Sequence, residues 1–434
     1  MFWPKPYGGE DSDEMMSQQQ GSSYAEWRDH WSVVLASLFG VGLLTVYVYS
    51  TGIMIAPLEQ EFGWSRAQIS SGPTIVAVIG CLAAPFVGKA IDRFGARRIA
   101  IPGVICLCSA LAMLSQANAS IWSWWGLWLL VALVHPLIKP TVWAAAVSSL
   151  FAKGRGMALA VAFCGTGLGS SVTPVLANWL IDNYGWRLAY VGMAAIWLAV
   201  TLPIVWFGFY SLKDRKSARP SDAARQAPQG PSLTGTDGAI ALRSAKFAKL
   251  AAAAAIVSMA SVAMTVNLVP VFSEVGLDRT TGAAIAGATG LSGIVGKLLG
   301  GVLLDRFHAG RIVALATAMP AISGALLIAF PGSVPAAILA VCVLGLSIGI
   351  EMDGVSYLTS QHFGLLNFGL IYGTIAGLLA FTSGIGPLLA NYAYDLSGSY
   401  LPMLWSIIPL ALLAALLFAM LGDHPEFEPE PAIA

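Results

Sequence analysis

Five ionisable side chains lie inside long apolar runs of the sequence. His135 and Lys139 share one run and are four positions apart, a spacing that would place both on one face of a helix. Glu351 and Asp353 lie in a second run, and Lys297 lies in a third. Because an ionisable group in an apolar environment is unfavourable, such groups usually bind charged ligands, pair with one another or transfer protons. We therefore interpret these five residues as candidates for anion binding and proton transfer.

The composition defines the environment of these residues. Of the 434 residues, 57% are hydrophobic and 11% are charged, whereas an ordinary soluble domain has about 25% charged residues. A soluble globule of this composition would expose a large apolar surface to water, and a β-barrel would alternate apolar and polar residues. The 23 basic residues balance the 23 acidic ones, so the net charge indicates no nucleic-acid partner. The chain is predicted to be an all-α membrane protein.

The apolar runs predict twelve transmembrane helices, since about 20 apolar residues are needed to cross a bilayer. The predicted spans are 31–55, 67–88, 99–117, 121–149, 157–180, 187–210, 247–273, 281–302, 311–331, 335–358, 367–390 and 399–421. A basic segment rich in Ser, Pro and Gln separates the sixth span from the seventh and is predicted to be a flexible linker. The predicted domains are a disordered tail (1–30), a six-helix bundle (31–210), the linker (211–246), a second six-helix bundle (247–421) and a C-terminal tail (422–434).

The distribution of Lys and Arg predicts the orientation in the membrane. Eighteen of the 23 lie in the N-terminal tail, the linker and the loops on their side, whereas only Arg66, Arg187 and Arg279 lie in loops on the other side. Loops rich in Lys and Arg stay in the cytoplasm. We therefore expect a multi-pass protein of the cell inner membrane with both termini in the cytoplasm.

The two halves of the chain repeat each other at one constant shift, the shift that carries Gly63 to Gly276. The recurring residues are Gly63 and Arg66 with Gly276 and Arg279; Gly88, Asp92, Arg93 and Arg98 with Gly301, Asp305, Arg306 and Arg311; and Pro174, Asn178 and Asp182 with Pro387, Asn391 and Asp395. Parallel repeats of six spans place a transport pathway at the seam between the two halves. The same shift carries Lys139 to position 352, between Glu351 and Asp353, which predicts a charge pair across that seam.

The loop between spans two and three combines a carboxylate with arginines around a glycine. Its residues are Gly88, Asp92, Arg93, Gly95, Arg97 and Arg98, and the second half has the degenerate copy Asp305, Arg306 and Arg311. The glycine permits a tight turn, and a carboxylate near arginines and a helix N-terminus can form an ion pair that breaks and reforms. We interpret this motif as a cytoplasmic gate.

At these residues the chain resembles the major facilitator superfamily, whose loop signature is G-x-x-x-D-R-x-G-x-R-R. The resemblance extends from about Trp31 to Leu421. Two further segments, 62–66 (Phe-Gly-Trp-Ser-Arg) and 150–158, are similar to motifs of bacterial monocarboxylate porters and of oxalate/formate-antiporter-like members. The resemblance implies two pseudo-symmetric six-helix bundles, with spans one, four, seven and ten lining a central cavity.

Other positions depart from that branch. The acidic-Gly-Gly-x-Gly-Trp signature that precedes span one in animal monocarboxylate carriers is reduced here to residues 29–31, Asp-His-Trp. Gly293 occupies the place of their membrane Asp, and Lys297 occupies the place of their span-eight Arg, which resembles a carboxylate-binding group. A lysine at this position would act as a point charge.

These features predict a secondary active transporter that moves a small organic anion, most simply a monocarboxylate, by alternating access with proton coupling. The alternative is an exporter of bulky amphipathic compounds on the same scaffold. We expect no enzymatic activity, no cofactor and no metal ion, and a monomer whose partners are its substrate, protons and the lipid bilayer. The predicted substrate-binding residues are Lys297, Lys139, His135, Tyr47, Asn267 and Tyr357, and the predicted coupling residues are Glu351, Asp353 and Lys139.

Overall fold

The fold, taken from a computed structural model, is described for residues 9–151, 155–211, 235–364 and 366–422; of residues 9–25, 84, 85, 87–89, 92 and 305 only the backbone is described. Within these ranges the chain is almost entirely helical. The α-helices are α1 (Gly9–Leu43), α2 (Val46–Phe62), α3 (Arg66–Phe94), α4 (Ala96–Met113), α5 (Ile121–Val134), α6 (Pro140–Leu150), α7 (Arg155–Phe163), α8 (Gly165–Gly208), α9 (Gly238–Arg243), α10 (Ala245–Glu274), α11 (Arg279–Arg306), α12 (Ala309–Ala329), α13 (Val334–Phe363), α14 (Phe368–Ser397) and α15 (Leu401–Ala419).

Twelve membrane spans can be assigned in the described chain. Ten stretches are long and apolar enough to cross a membrane. One of them, Arg155–Gly208, contains the non-helical residue Gly185 (φ 76°, ψ 165°) and therefore comprises spans five and six. Helix α3, with 29 residues, forms span two. The prediction of a twelve-helix, all-α membrane protein is confirmed.

The spans follow the chain order. Span one is the end of α1 together with α2, span two is α3, span three is α4, span four is α5 with α6, spans five and six are α7 with α8, and spans seven to twelve are α10 to α15. We call the membrane face at which residues 212–234 connect spans six and seven the linker face, and the other one the opposite face.

The structure describes the predicted N-terminal tail, linker and C-terminal tail only in part. Helix α1 begins at Gly9, so most of the segment predicted as a disordered tail is helical. Residues 10–20 contain Glu, Met and Gln, which are good helix formers, and they continue directly into span one. Most of the predicted linker (212–234) and the C-terminal tail from residue 423 lie outside the described residues.

In each bundle a glutamate at the end of the first span binds the residue that begins the sixth span or directly precedes it. Glu61 at the end of span one accepts a hydrogen bond of 2.6 Å from Arg187 at the start of span six. Glu274, the repeat equivalent of Glu61, accepts one of 2.9 Å from the backbone N–H of Tyr400, the repeat equivalent of Arg187. The sequence repeat therefore corresponds to a repeat in three dimensions.

The two bundles meet along two seams. Span two packs against span eleven, and span five packs against span eight. Helix α2, the part of span one near the opposite face, also packs against span seven. The residues between these seams are the ones that a pathway through the molecule would use.

Candidate functional site

Three charged side chains from three spans lie at similar positions along their spans. Spans four, eight and ten all begin at the opposite face, with α5, α11 and α13. Each of these spans contains a charged residue at nearly the same number of residues from its start: Lys139 in span four, Lys297 in span eight and Asp353 in span ten. At a helical rise of about 1.5 Å per residue, Lys297 and Asp353 lie about 27 Å from the starts of their continuous helices, and Lys139 follows the start of span four by a similar number of residues. We call these three residues the charged layer.

Span four is not a continuous helix at this level. Residues 135–138 form a 3-10 turn, and Lys139 has an extended backbone (φ −55°, ψ 158°). The cause is Pro136 and Pro140, because proline lacks an N–H donor and disfavours the helical conformation in the residue before it. The predicted stacking of His135 and Lys139 on one face of a helix is therefore wrong.

Lys139 is held within the first bundle. Its Nζ donates a hydrogen bond of 2.6 Å to the backbone oxygen of Gly80 in span two, and its side chain is half-buried. Among the described ion pairs, none joins Lys139 to Glu351 or Asp353. The structure thus does not bring the predicted charge pair together.

The two acids of span ten face different neighbours. Ser347 donates a hydrogen bond of 2.7 Å to Ala316 in span nine, and Glu351, one turn later on the same face, is 4% exposed. Gly349 packs closely against span eight, and Asp353, one turn after it, is exposed. Asp353 therefore belongs to the seam, whereas Glu351 is buried inside the second bundle.

Lys297 lies among residues of both bundles. Its half-buried ammonium interacts electrostatically with Asp353 in span ten and with Cys164 in span five. Tyr372 in span eleven interacts with Asp353 in turn. No carboxylate of the described chain lies within 4 Å of Lys297. This cation is therefore close to one acid without forming a direct ion pair with it.

An aromatic wall adjoins Lys139 in the first bundle. The ring of Tyr47 makes edge-to-face contacts with His135, at 5.2 Å between ring centroids, and with Trp128, at 6.0 Å. The Nδ1 atom of His135 is buried and has no hydrogen-bond partner in the described chain. Tyr47 and His135 are thus placed beside the charged layer, on the side of the opposite face.

The other two predicted substrate residues have packing contacts. Asn267 is fully buried, donates a hydrogen bond of 2.8 Å to Ala263 and accepts one of 2.9 Å from Asn391. Tyr357 is half-buried and packs against the core of the second bundle. Neither residue is joined to the charged layer by a hydrogen bond of the described chain.

The predicted gate motif is described in part. Gly95 has φ 86°, which only glycine adopts readily and which forms the turn between spans two and three. Arg97 donates a hydrogen bond of 2.6 Å to Trp206 in span six. Four other arginines of the motif are exposed at the linker face: Arg93, Arg98, Arg306 and Arg311. For Gly88, Asp92 and Asp305 only the backbone is described.

A set of contacts at the opposite face is absent from the sequence predictions. The carboxylate of Asp395 accepts hydrogen bonds from the start of span two, and Arg279 lies 3.6 Å from Asp182. These contacts join the two bundles. The repeat identifies these residues as equivalent, but a constant shift does not show that each residue pairs with the opposite half.

Comparisons with known proteins agree with this architecture. A family model described as Major Facilitator Superfamily matches residues 35–381 and, in a second match, residues 252–433. A bacterial homologue of the human lysosomal transporter Spinster, in an inward-facing and unoccupied conformation, has a similar structure with a TM-score of 0.66 at 16% identity. The match covers 90% of this chain and 96% of that one. At this identity the likeness concerns the fold alone.

Two similar sequences are named transporters. A gallate transporter of Pseudomonas putida is 23% identical over 426 residues, which cover 88% of this chain and 89% of that protein. Monocarboxylate transporter 13 of Bos taurus is 25% identical over 380 residues, which cover 85% and 84%. The family and these relatives are transporters and not enzymes. Because the family model covers most of the sequence, the chain belongs to the Major Facilitator Superfamily.

Proposed function

We propose that this protein is a secondary active transporter of small organic monoanions, most simply monocarboxylates, and that it couples their movement to protons. The observation that carries the proposal is the charged layer. Lys139 comes from the first bundle and Lys297 from the second, at equivalent positions along their spans, and neither has a carboxylate within 4 Å in the described chain.

The charges of the layer favour a single negative charge on the cargo. Two ammonium groups and one carboxylate leave one positive charge in excess. An uncompensated charge at membrane depth is unfavourable, so an arriving carboxylate would stabilise the occupied site. A dicarboxylate would instead leave an excess negative charge. The cargo is therefore expected to be a monoanion.

The relatives support an organic acid as cargo. One similar protein is named for gallate, an aromatic carboxylate, and others are named for monocarboxylates. The ring of Tyr47, packed edge-to-face against His135, offers an apolar surface next to Lys139 for the body of such an acid. We assign Lys297 to the carboxylate and Lys139, His135 and Tyr47 to the rest of the cargo.

Coupling is assigned to Asp353 because it is the span-ten acid that faces Lys297. The cargo would bind while Asp353 is ionised. A proton taken up by Asp353 from the same side would then weaken its attraction to Lys297 and move with the cargo, and release of the proton would restore that attraction. The proposed setting is the cell inner membrane, with the linker face and both termini in the cytoplasm and the monomer as the working unit.

Thermal unfolding of the purified protein tests the cargo class and the role of Lys297. Aromatic and aliphatic monocarboxylates, di- and tricarboxylates, and amphipathic cations would be added separately. A ligand at about 100 times its Kd stabilises the folded protein by about 2.7 kcal/mol, so we expect the midpoint to rise only with monocarboxylates. K297Q should abolish this rise.

The matched control is K249Q, because Lys249 lies at the linker face, where its Nζ donates to Met420. This variant should respond to monocarboxylates like the unmodified protein. A rise with amphipathic cations alone would favour the exporter of amphipathic compounds. An unchanged response of K297Q would remove Lys297 from the site.

A further inference from the structure

The seam between spans two and eleven is closed by a carboxylate on a helix end. Asp395, at the end of span eleven, accepts hydrogen bonds from the backbone N–H of Arg66 (3.0 Å) and of Ala67 (2.8 Å). These are the first two residues of span two, whose N–H groups have no partner within the helix. A negative charge is favourable at this end of a helix dipole. One half of the molecule thus caps a helix of the other half.

The side chain of Arg66 strengthens the same seam. Its guanidinium lies 3.7 Å from the ring centroid of Tyr394, and it donates a hydrogen bond of 3.1 Å to the hydroxyl of Tyr400. Its Nε lies 3.2 Å from Glu59, and the side chain is 16% exposed. Arg66 is therefore fixed between spans one, eleven and twelve, and its position holds the start of span two against Asp395.

The seam between spans five and eight has the same residues at the repeat positions but weaker contacts. Asp182, the repeat equivalent of Asp395, lies 3.6 Å from the guanidinium of Arg279, and the two side chains are 46% and 28% exposed. Asn178 donates to Asp182 and to Thr280, but its buried Oδ1 has no hydrogen-bond partner in the described chain. Among the hydrogen bonds of the described residues, none joins Asp182 to the backbone of span eight.

The residue that begins each helix explains the difference. Span two begins after Ser65, a neutral N-cap whose Oγ accepts from Gln68. The repeat position before span eight is Asp278, whose carboxylate accepts a hydrogen bond of 2.9 Å from Thr281. This hydrogen bonding to Thr281 holds the pKa of Asp278 below its ordinary value, so the group is charged. A second carboxylate at this helix end is repelled, so Asp182 contacts the side chains of Arg279 and Asn178 and does not cap span eight.

We propose that the opposite face is closed by two unequal latches, a strong one formed by Asp395 on span two and a weak one formed by Asp182 on span eight. The identity of the N-cap, Ser65 or Asp278, sets the difference between them. The seam of spans five and eight then separates first when the opposite face opens.

Distance measurements between spin labels on the full chain test this proposal. The labels would be attached to N118C and P331C, exposed positions in opposite-face loops of the two bundles, with the five native cysteines replaced by serine. D395A should raise the ratio of open to closed molecules about fivefold, the usual effect of losing an N-cap carboxylate. D182A should change it about twofold or less, as for an exposed ion pair.

Two exchanges of the N-cap make the test specific. S65D should raise the open fraction, because its charge repels Asp395. D278S, made in the D395A background where the open state is populated, should lower it, because Asp182 can then bind the backbone of span eight. D237A, which removes the N-cap of α9 at the linker face, is the control and should leave the distances unchanged. Equal effects of D395A and D182A, or no response to either N-cap exchange, would overturn the proposal.

Discussion

At the scale of single residues, the charged layer depends on the direction in which a side chain leaves its helix. Glu351 and Asp353 are two positions apart, which corresponds to a rotation of about 200° around the helix axis. One acid therefore packs towards span nine and the other faces Lys297. Of these two acids of the described chain, Asp353 is the one that faces a cation, which is why we propose it for proton coupling.

The D353N variant should separate proton coupling from substrate movement. In proteoliposomes, an imposed pH gradient should no longer drive accumulation of the cargo, because residue 353 can no longer bind and release a proton. Exchange of labelled for unlabelled cargo should continue, since Lys139 and Lys297 remain. E351Q is the matched control and should keep its response to the gradient. Coupling lost in E351Q but kept in D353N would contradict the assignment.

At the scale of elements, the interruption of span four determines where its charge lies. Two prolines end α5 and begin α6, and between them Lys139 takes an extended conformation that allows its hydrogen bond to Gly80. In a continuous helix each added residue rotates the side chain by about 100°. The direction of the Lys139 side chain therefore depends on the break in span four.

The double variant P136A/P140A should convert span four into a continuous helix and turn Lys139 away from its present direction. Hydrogen bonds to charged groups contribute about 1.5–3 kcal/mol, so the affinity for the cargo should fall about tenfold or more. Thermal stability without ligand should be kept or raised, because helical hydrogen bonds are restored. P409A, at an exposed proline in span twelve, is the control and should bind normally. Unchanged affinity of the double variant would show that the break is unnecessary.

At the scale of the whole molecule, closure of the opposite face depends on the close approach of two backbones. A Cβ atom at Gly52 in span one would overlap the backbone oxygen of Val266 in span seven. No side chain fits between these helices in the closed arrangement. Glycine at this position is thus required for the two bundles to meet.

G52A should therefore hold the opposite face open. Spin-label distances across that face should lengthen, and transport should be lost while the folded protein still binds cargo. G126A is the matched control, because no atom lies within 4 Å of the place that its Cβ would occupy. Full transport by G52A would show that the transport cycle does not require this close approach of the two helices.

The sequence predicts the architecture better than the contacts of the site. Hydropathy and basic loops are local properties, so the twelve spans and the two halves could be predicted from them. The surroundings of Lys139 could not, because they depend on the backbone between Pro136 and Pro140. The pairing of Asp395 with span two could not be predicted either, because the repeat identifies equivalent residues but not their partners across the seam.

The hydrogen bond from Lys139 to Gly80 has a consequence for the rate at which the carrier returns after unloading. In the structure this bond ties span four to span two, the helix that forms one of the seams. Another oxygen of the cargo that accepts a hydrogen bond from the Lys139 ammonium in place of Gly80 would release span two from this tie. The loaded carrier should then reorient faster than the empty one, and exchange of one acid for another should outpace net uptake.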